Sequence, residues 1–489
     1  MDHFVGPDFE AIGARAERAA AAGMQRGSFG ATVAIAPLVP LGLGKDEQIR
    51  VLGALQHPFH APPPLEHDLR FALDLSREWA QRAGSERLAL LRHVERVASA
   101  LRPAEDAARA LQQERVRKVA GSVATLFVAF MVVFCMWPHR DIVKRFTTGY
   151  PVIGVIPPTG VFRQFPRSAT ASAAELLEQA EQWHDEVFAL PKPDDAEEIF
   201  DATMKEVAAG TMSPLRDRSY YDSLYGRRGW RGVIRFGVWQ NDKFRPIEDG
   251  KRSGHNSGQT TLEKVHHCPQ DFIVTAAIHL VQGLSLPLPD WAQVESGVDD
   301  LENAYRSCPT DAESDAWTVV LLYDVHKGRW RASAQYGHSY GFRSSVNNFN
   351  AWPELGVAFC RRALAVATSH YVDDFPTVDF GAGRGSAQRA LNRVFELAGG
   401  PFADKKRIAM PPVTVFLGQV NDASDMVATG RVTVRPKPGR GATILSFVRA
   451  ARATGRLSPS VAGKLRGLVG FYGTSIHGAR GKGRHATAH

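Results

Sequence analysis

Residues 369–380 read SHYVDDFPTVDF. The apolar Leu364, Ala365, Val366 and Ala367 lead into Tyr371-Val372-Asp373-Asp374, and a second strand-like run, 375–380, leads away. The pattern predicts a hairpin with two adjacent carboxylates at its tip. Like charges that close repel, and neither can be desolvated without a partner. A divalent cation is the simplest partner, because hard oxygen ligands suit Mg²⁺ or Mn²⁺. A plain surface Asp-Asp turn is the competing reading, and the rest of the chain decides between them.

A chain of 489 residues predicts two to four domains, and 44% hydrophobic residues is ordinary for a globular protein. The formal charge of +8 is compatible with a polyanionic partner. That charge is uneven. Residues 226–256 carry Arg227, Arg228, Arg231, Arg235, Lys243, Arg245, Lys251 and Arg252, and no Asp or Glu occurs from Arg431 onward. The four cysteines, Cys135, Cys268, Cys308 and Cys360, are too widely spaced for a disulfide framework or a zinc ribbon. They point to an intracellular, reducing compartment, cytoplasm or nucleus. His266-His267-Cys268 lacks a second ligand pair and reads as a loop before a strand. The N-terminus has no basic-then-apolar secretory pattern.

Along the chain, residues 9–24 are periodic, 57–65 read as a Pro-rich linker, and 68–116 are helical with Leu88, Leu91, Val94 and Val97 on one stripe. Residues 119–137, VAGSVATLFVAFMVVFCMW, form an uncharged apolar run just long enough to cross a hydrocarbon core about 30 Å thick. Two readings stand for it, a membrane span and a buried helix. After a Pro/Gly-rich connector at 149–162, residues 171–208 predict two acidic amphipathic helices. Residues 231–238 alternate, and KFRPIED follows at 243–249. Two apolar strands joined at a basic tip hold Lys243 and Arg245 toward solvent, and arginine's planar fork suits phosphate oxygens.

Residues 294–305, VESGVDDLENAY, end a strand in Asp299-Asp300 and place Tyr305 five residues beyond Asp300. Residues 317–323 predict a buried strand. A Gly-containing turn at Gly341 opens a helix running to about Arg362, with Phe349, Trp352, Leu355 and Phe359 on its buried face. A second helix follows at 386–397. Beyond it come Lys405-Lys406, a strand at 413–420 containing Leu417-Gly418, and a basic helical unit at 435–468. That unit has Leu445, Phe447 and Val448, then Val461, Leu465 and Leu468, on its apolar faces.

Tyr371-Val372-Asp373-Asp374 between two strands resembles motif C of reverse transcriptases, and the order of the other segments resembles the polymerase region of retrotransposon polyproteins. The likeness runs from about Arg231 to about Gly470. It implies an α+β right-hand polymerase with a helical N-terminal region. In that frame 1–118 is the helical region, 119–137 an apolar helix, 138–215 connector and packing helices, 216–290 fingers, 291–425 palm, and 426–489 thumb and basic tail. The resemblance makes Asp300, Asp373 and Asp374 catalytic ligands of Mg²⁺ or Mn²⁺. It places Lys243 and Arg245 on the triphosphate, Tyr305 under the sugar, Gly341 in the motif B turn, Lys406 in motif D, and Leu417-Gly418 at the primer grip. The implied partners are an RNA or DNA template with a DNA primer, and dNTPs; a membrane joins them if 119–137 spans. Two departures stand out: Asp299 replaces the usual apolar residue before Asp300, and Ser339-Tyr340 replaces Leu-Pro before the Gly turn. The expected activity is RNA-directed DNA polymerisation. The rivals are an RNA-templated RNA polymerase and a catalytically inactive nucleic-acid-binding relic, and no acidic cluster of ribonuclease H type follows.

Overall fold

The computed structural model describes residues 65–240 and 243–477, and over them the chain is a mixed α+β protein built from helices and four small sheets. The periodic segment at 9–24, the linker before Leu65 and the last residues of the basic tail lie outside the described residues.

Two helices open the described chain, α1 (His67–Trp79) and α2 (Ala83–Ala110). The predicted stripe on α2 is buried at Leu91 and Val94, but Leu88 is 41% exposed and its neighbour Arg87 is buried instead. The cause is Asp379 on a central strand. Arg87 grips both of its carboxylate oxygens, at 2.5 and 3.0 Å, and donates to Ser386 Oγ at 2.9 Å. Without that fork Asp379 would be a buried charge with no partner, which costs more than one exposed leucine.

The apolar run at 119–137, expected as one helix, is broken. Helices α3 (Glu114–Ala120) and α4 (Thr125–Phe134) meet at 65°. Glu105 decides the break. Its carboxylate accepts from the backbone N–H of Thr125 at 2.8 Å and of Leu126 at 2.5 Å, capping a new helix start where the dipole favours an anion. Among the described residues no single helix is long and apolar enough to cross a membrane. Phe127, Val128 and Met131 of α4 are buried in the largest core cluster.

Next come α5 (Ile142–Thr148), β1 (Gly154–Ile156) and β2 (Arg163–Arg167). The acidic stretch forms α6 (Ala173–Glu178), α7 (Ala180–Phe188) and α8 (Ala196–Ala208), so the first predicted helix is interrupted at Gln179. Ser172 and Glu175 close a reciprocal capping box on α6. Helix α9 (Arg218–Tyr225) leads to β3 (Val233–Gln240), which pairs with β4 (Lys243–Glu248) in an antiparallel hairpin closed by Gln240 opposite Lys243. Strand β5 (Gln259–Lys264) lies between β1 and β2, and α10 (Phe272–Val281) follows.

Strand β6 (Val294–Asp300) precedes β7 (Val319–Asp324) and β8 (Arg329–Ala334), which extend the hairpin into a four-stranded sheet ordered β4-β3-β7-β8. Helix α11 (Arg343–Leu364) buries Phe349, Trp352, Leu355 and Phe359, the face its periodicity predicts. Each such side chain contributes roughly 1.5–3 kcal/mol of burial. Strands β9 (Ala367–Thr368) and β10 (Asp374–Phe380) join β6 in the order β6-β10-β9, covered by α12 (Ser386–Ala398).

The predicted strand at 413–420 is instead two, β11 (Val413–Phe416) and β12 (Gln419–Asp422), joined at Leu417-Gly418. Both turn residues have positive φ, 46° and 74°, which matches the twist of a two-residue hairpin. The short α13 (Met426–Thr429), β13 (Thr433–Pro436), α14 (Arg440–Thr454) and α15 (Pro459–His477) complete the chain. No residue of α14 is buried, and Leu445 and Val448 face solvent at 51% and 36% exposure. Of the apolar faces expected there, Phe447, Val461, Leu465 and Leu468 are half-buried as α14 and α15 pack together.

Candidate active site

Strands β6 and β10 run antiparallel with Asp300 directly opposite Asp374. Cross-strand partners project to the same face of a sheet, so the register alone brings these two carboxylates together. Asp373 sits at the turn, one step beyond. Its carbonyl accepts from the N–H of Leu301 at 2.7 Å, which ties the turn to the end of β6. The adjacent Asp299 points the other way and is fully buried, bonded to Gln388 at 2.9 Å and Arg407 at 3.0 Å. The doubled acid in the sequence therefore divides into a structural member and a site member.

The turn is tight. Tyr371 N–H donates to Asp374 O at 2.8 Å, and Asp374 N–H to Tyr371 O at 3.1 Å. Val372 has φ 60°. For a β-branched residue that conformation costs on the order of 1–3 kcal/mol, and only a surrounding structure that over-determines the turn can hold it.

The electrostatics follow from three acids near enough to act on one another through their charges. Burial, then repulsion from Asp373 and Asp300, pushes the Asp374 carboxyl up to about 7, with Lys406 opposing. Burial and Asp300 also raise Asp373, while Lys406 and Arg245 draw it down. Lys406 Nζ lies 2.5 Å from Asp300 Oδ1. Arg245 and Lys243 are exposed on β4 and form no ion pair among the described residues. The structure thus gathers Asp300, Asp373, Asp374 and Lys406, with Arg245 acting on Asp373 through its charge alone, and leaves Lys243 at the hairpin tip.

Among the described residues no group of three or more His, Cys, Asp or Glu stands closely enough to hold a metal ion. Asp300 is instead engaged by the Lys406 ammonium. The donor chemistry still fits Mg²⁺ or Mn²⁺: hard carboxylate oxygens carrying more negative charge than one ammonium offsets.

A pH signature follows. Because the folded-state Asp374 value is raised, its ionisation opposes folding; nothing is lost below the ordinary carboxylate range, and stability falls as pH rises through about 7. In chelator, the chain should unfold about 1–3 kcal/mol more easily at pH 8.5 than at pH 5.5 from this group. Asp374→Asn should flatten that dependence, as thermal melts at the two pH values would show. An identical slope in the variant would refute the assignment.

Tyr305 packs its ring 5.8 Å from Tyr340 and 5.0 Å from Phe349. Burial, with help from Asp373, pushes its hydroxyl up to about 12 against a hydrogen bond from Asn350. Gly341 is required by a close approach: a Cβ there would stand 1.7 Å from the carbonyl oxygen of Glu248. Gly418 has a different reason, its φ of 74° in the left-handed region, since the Arg440 guanidinium nearby is the end of a flexible side chain that can move aside. Gln270 donates to Leu417 O at 3.1 Å.

Not every cation in the 226–256 stretch is available to a polyanion. Arg231 and Arg235 are buried. Arg235 bonds Glu248 at 2.6 Å and Glu206 at 2.7 Å, and Arg306 bonds the same two acids at 2.7 and 2.9 Å. Burial alone would raise the Glu248 carboxyl, but Arg306 and Arg235 outweigh it and hold it at about 2. Glu248 Oε2 also accepts from Tyr340 N–H at 3.0 Å, joining the hairpin to the Gly341 turn. The sequence carries no signal for this network: Arg306 follows Tyr305 by one residue, and its partners lie 58 and 100 residues away.

No family model matches the chain, and no curated protein matches it. Among solved structures it is similar to a foamy viral protease–reverse transcriptase solved in complex with double-stranded DNA, at 12% identity and a TM-score of 0.39. The match covers 73% of this chain and 52% of that one, so the chain spans about half the length of its structural neighbour. The functional reading rests on the geometry of the site.

Proposed function

We propose that the chain is a template-directed nucleotidyl transferase of reverse-transcriptase type, adding dNTPs to a primer 3′-hydroxyl. The observation that carries this is the pairing of Asp300 with Asp374 across the sheet, with Asp373 at a strained turn beside them, Lys406 on Asp300, and Arg245 acting on Asp373 through its charge. In this reading the β3–β4 hairpin belongs to fingers, β6-β10-β9 forms the palm, and α14–α15 form a thumb.

Divalent ions bound by Asp300, Asp373 and Asp374 would supply Lewis acidity toward the primer hydroxyl and the departing pyrophosphate. The chain's own groups do the rest. Arg245 and Lys243, which form no ion pair among the described residues, bind the triphosphate oxygens. Lys406 lets go of Asp300 as the site fills and presents its ammonium proton to the leaving pyrophosphate. The Leu417-Gly418 turn supports the primer end. The Tyr305 ring lies under the sugar and leaves no room for a 2′-hydroxyl, so it selects by exclusion. The four cysteines are free and buried, which suits a reducing compartment.

The test is extension of a DNA primer on an RNA template with dNTPs and Mg²⁺. Extension is expected with dNTPs and only weakly with rNTPs, which separates this reading from an RNA polymerase. Tyr305→Ala should raise rNTP use relative to dNTP by roughly 10–100-fold in kcat/KM. Unchanged discrimination would remove Tyr305 from the sugar site. Primer–template binding without extension by the native chain would sink the enzyme reading and leave a binding relic.

A further inference from the structure

His370 immediately precedes the Tyr371–Asp374 turn and is 1% exposed. Its ring stacks on Phe375, with centroids 5.6 Å apart and planes 29° apart. Nδ1 lies 3.2 Å from the carbonyl oxygen of Val372, placed to donate. Nε2 faces Glu354 Oε1 at 3.3 Å, and Glu354 belongs to α11. The two contacts lie on opposite edges of one ring: Nδ1 carries the hydrogen bond to the Val372 carbonyl, while the approach of Nε2 to Glu354 is an ion pair when the ring is protonated and not a hydrogen bond in this geometry. The strand before the turn is pinned as well: Cys268 N–H donates to His370 O at 3.2 Å, and Arg361 Nε to Thr368 O at 2.8 Å. Although burial opposes it, His370 and then Arg361 keep the Glu354 carboxyl below its usual range, so an anion faces the ring.

Val372 is the residue with φ 60°, and its carbonyl belongs to the peptide unit that continues as the N–H of Asp373. A hydrogen bond to that oxygen fixes the plane of this peptide and, through it, the directions in which Asp373 and Asp374 leave the backbone. We infer that His370, oriented by Glu354, is a positioning residue that clamps the Val372 carbonyl and holds the two turn carboxylates in their working orientation. The consequence for catalysis rests on the polymerase reading; the clamp itself does not. Groups that orient a ligand from behind typically alter activity by about 10–100-fold when removed.

The geometry distinguishes the two ring nitrogens. An asparagine amide nitrogen reaches the place of Nδ1, whereas a glutamine amide reaches the place of Nε2. His370→Ala, His370→Asn and His370→Gln should be compared in the full chain by primer extension, primer–template affinity and amide hydrogen exchange at Tyr371 and Asp374. Expected for His370→Ala is a kcat lower by about 10–100-fold, primer–template affinity unchanged, and both amides exchanging at least about tenfold faster. His370→Asn should recover most of both losses, and His370→Gln should not. Unchanged exchange in His370→Ala, or equal rescue by Gln and Asn, would overturn the clamp whatever the activity. The expected exchange pattern in a native chain that extends no primer would support the clamp and sink the polymerase reading. If His370→Ala does not fold, Glu354→Gln, which keeps the ring and weakens only its orientation, gives the same readout; exchange identical to the native chain would overturn the role of Glu354.

Discussion

Asp373→Asn should extend a primer at least about a thousandfold more slowly than the native chain, equivalent to about 4 kcal/mol of transition-state stabilisation. The substitution keeps the volume and the turn but removes the charge that stands beyond the Asp300–Asp374 pair. An amide is a poor ligand for a hard divalent ion, and the loss falls on the chemical step rather than on nucleic-acid affinity. Unfolding cannot account for the loss, because one of three mutually repelling acids is gone and the variant should melt no lower than the native chain. Single-turnover extension beside a thermal melt separates the two quantities. An unchanged rate would show that the activity arises elsewhere.

Glu248→Ala should lower unfolding stability by about 3–5 kcal/mol, the largest effect expected outside the site itself. Glu248 is fully buried and accepts from Arg235, Arg306 and the Tyr340 N–H. Its removal leaves Arg235, itself fully buried, with Glu206 as its remaining acidic partner. It also unfastens the β3–β4 hairpin from the Gly341 turn, so any loss of activity should appear with the loss of stability. Urea unfolding midpoints provide the measure. A change below about 1 kcal/mol would mean that the four-residue network is held by the remaining pairs.

Much of the site was legible in the chain because it is local. A tight turn with two acids, a strand ending in Asp, and a glycine before an amphipathic helix are patterns of adjacent residues, and the buried face of α11 follows from helical period alone. Other expectations failed where a distant charge intervened. The stripe on α2 holds at Leu91 and Val94, but beside them Arg87 rather than Leu88 turns inward, to Asp379, 292 residues away. The apolar run breaks because Glu105 caps Thr125 from 20 residues back.

The sequence by itself determined which residues are candidates for the chemistry: carboxylates paired at one turn, a third acid on a strand, and cations on a hairpin. Only the tertiary structure decided what becomes of Asp299 beside the Asp300 that the Tyr305 spacing favours, which basic residues are buried in ion pairs, and what surrounds Val372 in its strained conformation. The physical reason is the same each time. A residue's type fixes what it can bond, but pairing register and burial decide which partner lies within about 3 Å of it, and those partners come from far along the chain.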